Sequence, residues 1–376
     1  MAFSIKDAIK TFSASSIAAV RGSALGIDIG TSSIKIVQLR KEDNIVLLES
    51  YGEIALGRYG DGALSPGQIS GALMDLMGEV KISARVAGVS ILSSSTLIFV
   101  VDMPTRDERQ LKVLMPVVSK KYIPANSGEV MLDWFVISDD AARQNVFDTM
   151  NVGPSVAPKN QKILLAAIYK ETVNVYSRIL KDAGVSAHFY EIEASSGARA
   201  SLGHGPDTVL MVDLGADSTK LYIVERNIVR VLHPVKTGGS NLTKALAEEM
   251  QWDLARAEKV KRELGLGTSP AYSPEENEKI TQALTSELEQ VVGEAQLVIA
   301  SYREQQKKDV TQIILVGGGA RMVGIENYLK TKLNLPVEIA RPFNRTKGPI
   351  VLEKTLHDAG PIFANAIGLA LRAIGM

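Results

Sequence analysis

The feature that most constrains this chain is a repeated strand–turn–strand. Leu25 to Leu39 reads Leu-Gly-Ile-Asp-Ile-Gly-Thr-Ser-Ser-Ile-Lys-Ile-Val-Gln-Leu, and Met211 to Val224 reads Met-Val-Asp-Leu-Gly-Ala-Asp-Ser-Thr-Lys-Leu-Tyr-Ile-Val. Aligned without gaps, Asp28 falls on Asp213, Gly30 on Gly215, Ser33 on Ser218 and Lys35 on Lys220. An apolar run, an Asp-x-Gly and a second apolar run encode two strands joined by a glycine turn. The period is far too long for a solenoid, so the repeat points to two related halves, each opening with a β-hairpin. A length of 376 residues fits two or three domains.

Between the repeats the pattern changes. Val86 to Val101 is β-rich, Thr105 to Lys121 reads as a helix despite Pro116, and Glu129 to Ser138 and Lys162 to Tyr169 read as strands. Asp139 to Gln161 reads as a long polar loop, and Glu171 to Asp182 as a helix closed by Gly184. Together they suggest a small α+β module inserted in the first half. The second half turns helical after its hairpin. Ser240 is the expected N-cap of a helix to Met250, and Leu254 to Leu264 forms another. Ser273-Pro-Glu-Glu276 is a capping box with Pro at the first helical position. It opens a long helix with Ile280, Leu284, Leu288, Val291, Ala295, Val298 and Tyr302 on its inner face. A buried strand, Gln312 to Val316, runs into Gly317, Gly318 and Gly319; a helix from Val323 to Leu333, a short strand from Val337 and a final helix from Pro361 to Ile374 follow.

Composition excludes several functions. The 42 Lys and Arg balance 42 Asp and Glu, which disfavours a general nucleic-acid binder. The absence of Cys excludes thiol catalysis, disulfides and thiolate metal sites. His188, His204, His233 and His357 lack metal-ligand spacing and read as structural or surface residues. No apolar run reaches the roughly 20 residues of a spanning helix. Phe3, Ile5, Ile9, Phe12, Ile17 and Val20 could line one side of a helix, so residues 1–24 read as a terminal segment, amphipathic or disordered.

The chemistry lies in the glycine turns. Each follows an apolar strand, and glycine lets backbone N–H groups approach an anion. Asp28 and Asp213 precede two of them, and small hydroxyl residues follow. That set suits a nucleoside triphosphate with Mg²⁺: amides with Thr31, Ser32, Ser33 and Ser218 on phosphate oxygens, and the two aspartates orienting a hydrated metal ion. One Asp-x-Gly is usually only a hairpin turn. Two in register and a third glycine-rich strand end argue for a shared ligand. There is no Walker sequence and no G-x-G-x-x-G.

The trio Asp28/Gly30/Thr31, Asp213/Gly215/Ser218 and Gly317/Gly318/Gly319 resembles the phosphate-1, phosphate-2 and adenosine motifs of the actin-like ATPases. Within that superfamily the chain is most similar to the PilM family of type IV pilus assembly, itself similar to FtsA. Tyr122-Ile-Pro124, Glu129 to Asp133, Ala257-Glu258 with Lys261, and Ala366 to Arg372 carry this narrower likeness. The resemblance implies an α/β, actin-like, ribonuclease H-like duplicated fold with two lobes. Subdomain 1A would comprise 25–84, 184–207 and 355–376, with an inserted 1C at 85–183. Subdomain 2A would comprise 208–239 and 306–354, and 2B 240–305. It implies ATP and Mg²⁺ as cofactors, with Gly30, Thr31, Ser32, Ser33, Lys35, Gly215, Ala216, Asp217 and Ser218 around the phosphates. Gly238 and Gly239 would flank the nucleotide, Glu258 and Lys261 would lie near the ribose, and Gly317, Gly318, Gly319, Ala320 and Met322 would line the adenine pocket. Asp28 and Asp213 would hold Mg²⁺ through water and serve catalysis, with Glu191 or Glu193 as the water-positioning residue. Ala216 stands where a glycine or polar residue is often found, so slow or absent hydrolysis is expected. The implied partners are the N-terminal cytoplasmic peptide of PilN, the PilN/PilO platform, pilus motor ATPases and a second copy of the chain. Nucleic acid is not expected, and membrane contact would be peripheral, at the cytoplasmic face of the inner membrane. The alternatives are an FtsA-type cytoskeletal protein, or a sugar or acid kinase with Asp217 as base.

Overall fold

The computed structural model describes residues 18–57, 64–104, 107–123, 129–137, 161–203 and 207–376. The N-terminal segment to residue 17, His204 and the polar loop expected at 139–161 lie outside them, except that Gln161 is described and begins a strand. The described chain divides into two compact units. The larger holds 18–92 and 179–376, and the smaller is described between 93 and 178.

In the larger unit, β1 (Ser23–Ile29), β2 (Ser33–Glu42) and β3 (Ile45–Ala55) form an antiparallel meander. Helix α1 (Pro66–Glu79) follows, opened by a capping box on Ser65 and Gln68, and leads to β4 (Val86–Ile91), parallel to β1. The smaller unit comes next. It contains β5 (Thr96–Met103), α2 (Glu108–Val118), β6 (Val130–Ile137) and β7 (Gln161–Tyr169), in sheet order β5-β7-β6. Its core is Val101, Met103, Leu111, Met115, Ile163 and Leu165, with Trp134 packed against it. Helix α3 (Lys170–Asp182) ends at Gly184, whose φ is +69°, and leads into β8 (Ser186–Ile192), parallel to β4. The first sheet therefore runs β3-β2-β1-β4-β8. Because β4 pairs with both β1 and β8, the smaller unit opens after it, at Ser93, and not at 85 as the sequence suggested.

After α4 (Glu193–Ser201) the pattern repeats. Strands β9 (Thr208–Leu214), β10 (Thr219–Glu225) and β11 (Ile228–Val235) form the antiparallel meander. Three helices follow: α5 (Gly239–Met250), α6 (Leu254–Glu263) and α7 (Pro274–Gln306). Then β12 (Gln312–Val316), α8 (Ile325–Leu333) and β13 (Val337–Ile339) add the parallel strands. The order is β11-β10-β9-β12-β13, the same as in the first sheet. The halves differ in where they are opened: the first between its fourth and fifth strands, the second between its third and fourth.

The sequence signals act locally as physics requires. Ser273 Oγ accepts from the Glu276 amide at 3.1 Å, and the Ser273 amide donates to Glu276 Oε2 at 2.7 Å. All seven apolar residues expected on the inner face of α7 are buried. Two starts differ from expectation. Gly238, not Ser240, caps α5, its amide donating to Asn241 Oδ1 at 3.1 Å. Helix α8 begins after Gly324 rather than at Val323, because Gly324 has a φ of +81°, outside helical space. Helix α9 (Glu353–Ala359) leads to α10 (Ala364–Ala373), which is buried nearly all round. It lies against β1, β4 and α4. Backbone approach is so close that a Cβ on Gly368 would stand 1.8 Å from Ser196 O, and one on Gly26 1.8 Å from Ala366 O.

Candidate functional site

The two glycine turns fold alike. Gly30 N–H donates to Ser33 O at 3.0 Å, and Gly215 N–H to Ser218 O at 3.1 Å. Asp28 stands across the ladder from Lys35, and Asp213 across from Lys220. A Cβ on Gly215 would lie 2.8 Å from Ser218 O, so the second turn has no room for a side chain there. Both aspartates are buried at the ends of their strands, and the Ser90 hydroxyl on β4 donates to Asp28 Oδ1 at 2.6 Å. Thr31 is exposed and Ser32 half-buried beside the first turn, whereas Ser33 is buried in β2. Ala216, Asp217 and Ser218 are half-buried.

The second turn is braced from two sides. Gly239 and Ser240 amides donate to Gly215 O at 2.9 Å and Ala216 O at 2.7 Å, and Ser240 Oγ donates to Asp217 Oδ1 at 3.2 Å. A Cβ on Gly238 would stand 2.5 Å from Ala216 O and from Ser218 N. The start of α5 is thus seated directly on the turn. From the other side comes Gly317, with a φ of +84°. A Cβ there would lie 2.4 Å from Asp213 Oδ1. A Cβ on Gly319 would lie 2.6 Å from Leu214 Cβ, whereas Gly318 faces open space. Ala320 is buried in the core that Met322 flanks.

Glu258 and Lys261 do come together on α6. Lys261 Nζ donates to Glu258 Oε2 at 2.7 Å, Thr243 Oγ1 at 2.8 Å and Gly239 O at 2.8 Å. Burial holds the Lys261 ammonium below its ordinary pKa, with Glu258 opposing. Burial pushes Glu258 up, but hydrogen bonds from Lys261, Thr243 and Arg262 outweigh it and leave its carboxyl below the usual range.

The two candidate glutamates separate. Glu191 is gripped by arginines: Arg199 at 2.7 Å on both oxygens and Arg372 at 2.6 Å on Oε1. Burial raises its pKa, and the two guanidiniums more than reverse this. It is a tie between β8, α4 and α10. Glu193, the first residue of α4, is brought to Lys220, whose Nζ lies 3.2 Å from Oε1 and 3.3 Å from Oε2. Lys220 is also 4.0 Å from Asp213 Oδ2.

Lys220 and Ser90 are the site residues missing from the sequence reading. Lys220 was within reach, since the gapless repeat aligns it with Lys35. Nothing in the sequence around Ser90 marks it, because only the β1–β4 pairing places it beside Asp28. Of the histidines expected to be structural or surface residues, His188 bonds Ala18 O at 2.8 Å, His233 pairs with Glu294 at 2.7 Å, and His357 lies 3.3 Å from Asp358. Among the described residues no three His, Asp or Glu converge as a direct metal cluster, and no helix is long and apolar enough to cross a membrane.

Two sheets of one strand order, each turning at an Asp-x-Gly, with α4 packed against α10, define an actin-like fold. Solved structures agree. One described as a PilM–PilN type IV pilus biogenesis complex is 21% identical at a TM-score of 0.78, covering 94% of this chain and 99% of that one. The ethanolamine utilization protein EutJ from Carboxydothermus hydrogenoformans is 15% identical at 0.54, covering 94% and 90%. The family model described as type IV pilus assembly protein PilM matches residues 26–374. The chain belongs to that family, and is an actin-like protein of type IV pilus assembly.

Proposed function

We propose that this protein is an ATP-binding scaffold of the inner-membrane pilus assembly platform, holding one nucleotide between its two glycine turns. The observation that carries the reading is the pair of turns in one register, each with a buried Asp at the strand end and a Lys across from it. The residues fit the ligand. Gly215, Gly238 and Gly317 each stand where a Cβ would collide with a neighbouring atom of the chain, so the start of α5 and the end of β12 close directly on the second turn. With no direct metal cluster among the described residues, Mg²⁺ would arrive on the phosphates and be reached by Asp28 and Asp213 through water. Its chemistry when bound is charge neutralisation on phosphate oxygens. Thr31, Ser32, Lys35 and Ser218 would hold phosphate, Glu258 and Lys261 the sugar side, and Gly317 to Met322 the base.

The larger unit would supply subdomains 1A, 2A and 2B, and the smaller would be 1C. The partner is proposed from the solved complex of a protein with the same fold, which contains PilN. A cytoplasmic PilN N-terminal peptide would bind here, placing the protein at the cytoplasmic face of the inner membrane, beside the PilN/PilO platform. Nucleotide would act by favouring one arrangement of the halves over another. The test is a titration of PilN N-terminal peptide by fluorescence anisotropy, with and without Mg-ATP. Saturable binding that ATP shifts severalfold supports the scaffold. Peptide that does not bind in either state removes the partner, and binding indifferent to ATP removes the coupling.

A further inference from the structure

The two lysines of the repeat are not equivalent. Both lie against their turns: a Cβ on Gly30 would be 3.6 Å from Lys35 Nζ, and one on Gly215 would be 3.7 Å from Lys220 Nζ. Both side chains keep 15% of their surface exposed. Their partners differ. The carboxylate nearest Lys35 is Glu53, at 3.9 Å and 37% exposed. Lys220 is held on both oxygens of Glu193, which is 2% exposed, and leans on Asp213. Burial alone would lower the Lys220 pKa, but Asp213, Glu193 and Asp28 raise it well above the ordinary lysine value, so the ammonium stays charged.

From this asymmetry we propose that Lys220 reads the terminal phosphate of the bound nucleotide, giving up its ion pair with Glu193 for phosphate oxygens when a triphosphate enters. The proposal rests on the nucleotide-site reading above. Glu193 and an incoming phosphate are both anions, and they compete for one ammonium at the foot of the second turn. A triphosphate brings the charge and reach to win that competition, whereas a diphosphate lacks the terminal group. Lys35, loosely held, contacts phosphate in either case. The exchange would move Glu193, the first residue of α4, and α4 packs on α10 between the two sheets. The terminal phosphate would then be felt at the junction of the halves.

The two members of the pair have opposite expected effects, which a merely structural ion pair cannot produce. Glu193→Gln keeps the shape and removes the competitor, so the triphosphate should bind about tenfold tighter. Lys220→Met removes the reader, so the triphosphate should bind about tenfold weaker or worse, and Lys220→Arg should restore part of the loss. ADP affinity should change little in any of them. The experiment is isothermal titration calorimetry of adenylyl imidodiphosphate and of ADP, with Mg²⁺, into the full chain and these variants, each first checked for folding by circular dichroism. If Lys220→Met does not fold, Glu193→Gln decides alone, because Lys220 then still faces Asp213. Tighter triphosphate binding in Glu193→Gln with ADP unchanged supports the proposal. Weaker triphosphate binding in that variant, no change, or an equal shift for both nucleotides overturns it while leaving the nucleotide site standing. Wild-type protein that binds neither nucleotide overturns the site itself and the proposal with it.

Discussion

Replacing Glu191 by Gln tests what holds β8, α4 and α10 together. The carboxylate on β8 takes two hydrogen bonds from Arg199 on α4 and one from Arg372 on α10. Arg199 also reaches Gly368 O at 3.0 Å, and the Arg372 guanidinium lies 4.6 Å from the centre of the Phe189 ring. One buried charge therefore joins three elements. Gln has nearly the same shape, but it presents an amide NH₂ to a guanidinium, so one bond is lost and the rest lose their charge assistance. Removing one partner of a buried pair costs about 3–5 kcal/mol. Arg199 keeps 25% of its side chain exposed and Arg372 15%, so some of the orphaned charge is relieved by water, and the lower end, ~3 kcal/mol, is expected. That is a large share of a native stability of about 5–15 kcal/mol. Urea unfolding at pH 7 should show it as a midpoint lowered by roughly 1 M or more, for slopes of about 1–3 kcal/mol/M. The pH dependence gives a second sign. The folded pKa of Glu191 is depressed, so its contribution is complete above the unfolded value of about 4.3 and is lost as pH falls through the folded value. The gap between wild type and variant should therefore shrink in acid. A cost under ~1 kcal/mol at pH 7, or a gap unchanged at pH 3, would mean that this ion pair does not hold the three elements together.

Two further substitutions probe close approach. Gly368→Ala would drive a Cβ into Ser196 backbone at 1.8 Å, and neither helix can yield without separating α4 from α10. A loss of ~3 kcal/mol or more is expected, seen as a thermal midpoint lowered by several degrees or as insoluble protein, and an unchanged melt would count against the packing described. Gly317→Ala combines a φ of +84° with a collision at Asp213 Oδ1, costing ~1–3 kcal/mol and displacing that carboxylate. Mg-ATP affinity should fall with it. Gly318→Ala, where nothing lies within 4 Å, is the matched control and should melt within ~1 kcal/mol of wild type.

Much of this was legible in the sequence because the signals are local. The repeat named both hairpins, since an Asp-x-Gly between apolar runs specifies strand, turn and strand within a dozen residues. Ser273 and Glu276 named the start of α7, and its period named its buried face. What the sequence hid is what the topology assembles. Glu191 meets Arg199 eight positions on, but Arg372 comes from the far end of the chain. Ser90 reaches Asp28 only through parallel pairing. Glu193 gained its meaning from Lys220, and the repeat that aligned Lys220 with Lys35 could not show that the two lysines face different carboxylates. Ser240 has the chemistry of an N-cap, but the close packing of Gly238 on the second turn moves the cap two residues earlier and turns Ser240 toward Asp217.

A nucleotide held between the paired Asp-x-Gly turns should depend on both aspartates. Calorimetry of Mg-ATP binding to wild type, Asp28→Ala and Asp213→Ala tests it most directly. One site is expected in the wild type, with a loss of at least about tenfold in each variant and the fold retained by circular dichroism. Unchanged affinity in both variants would contradict that dependence.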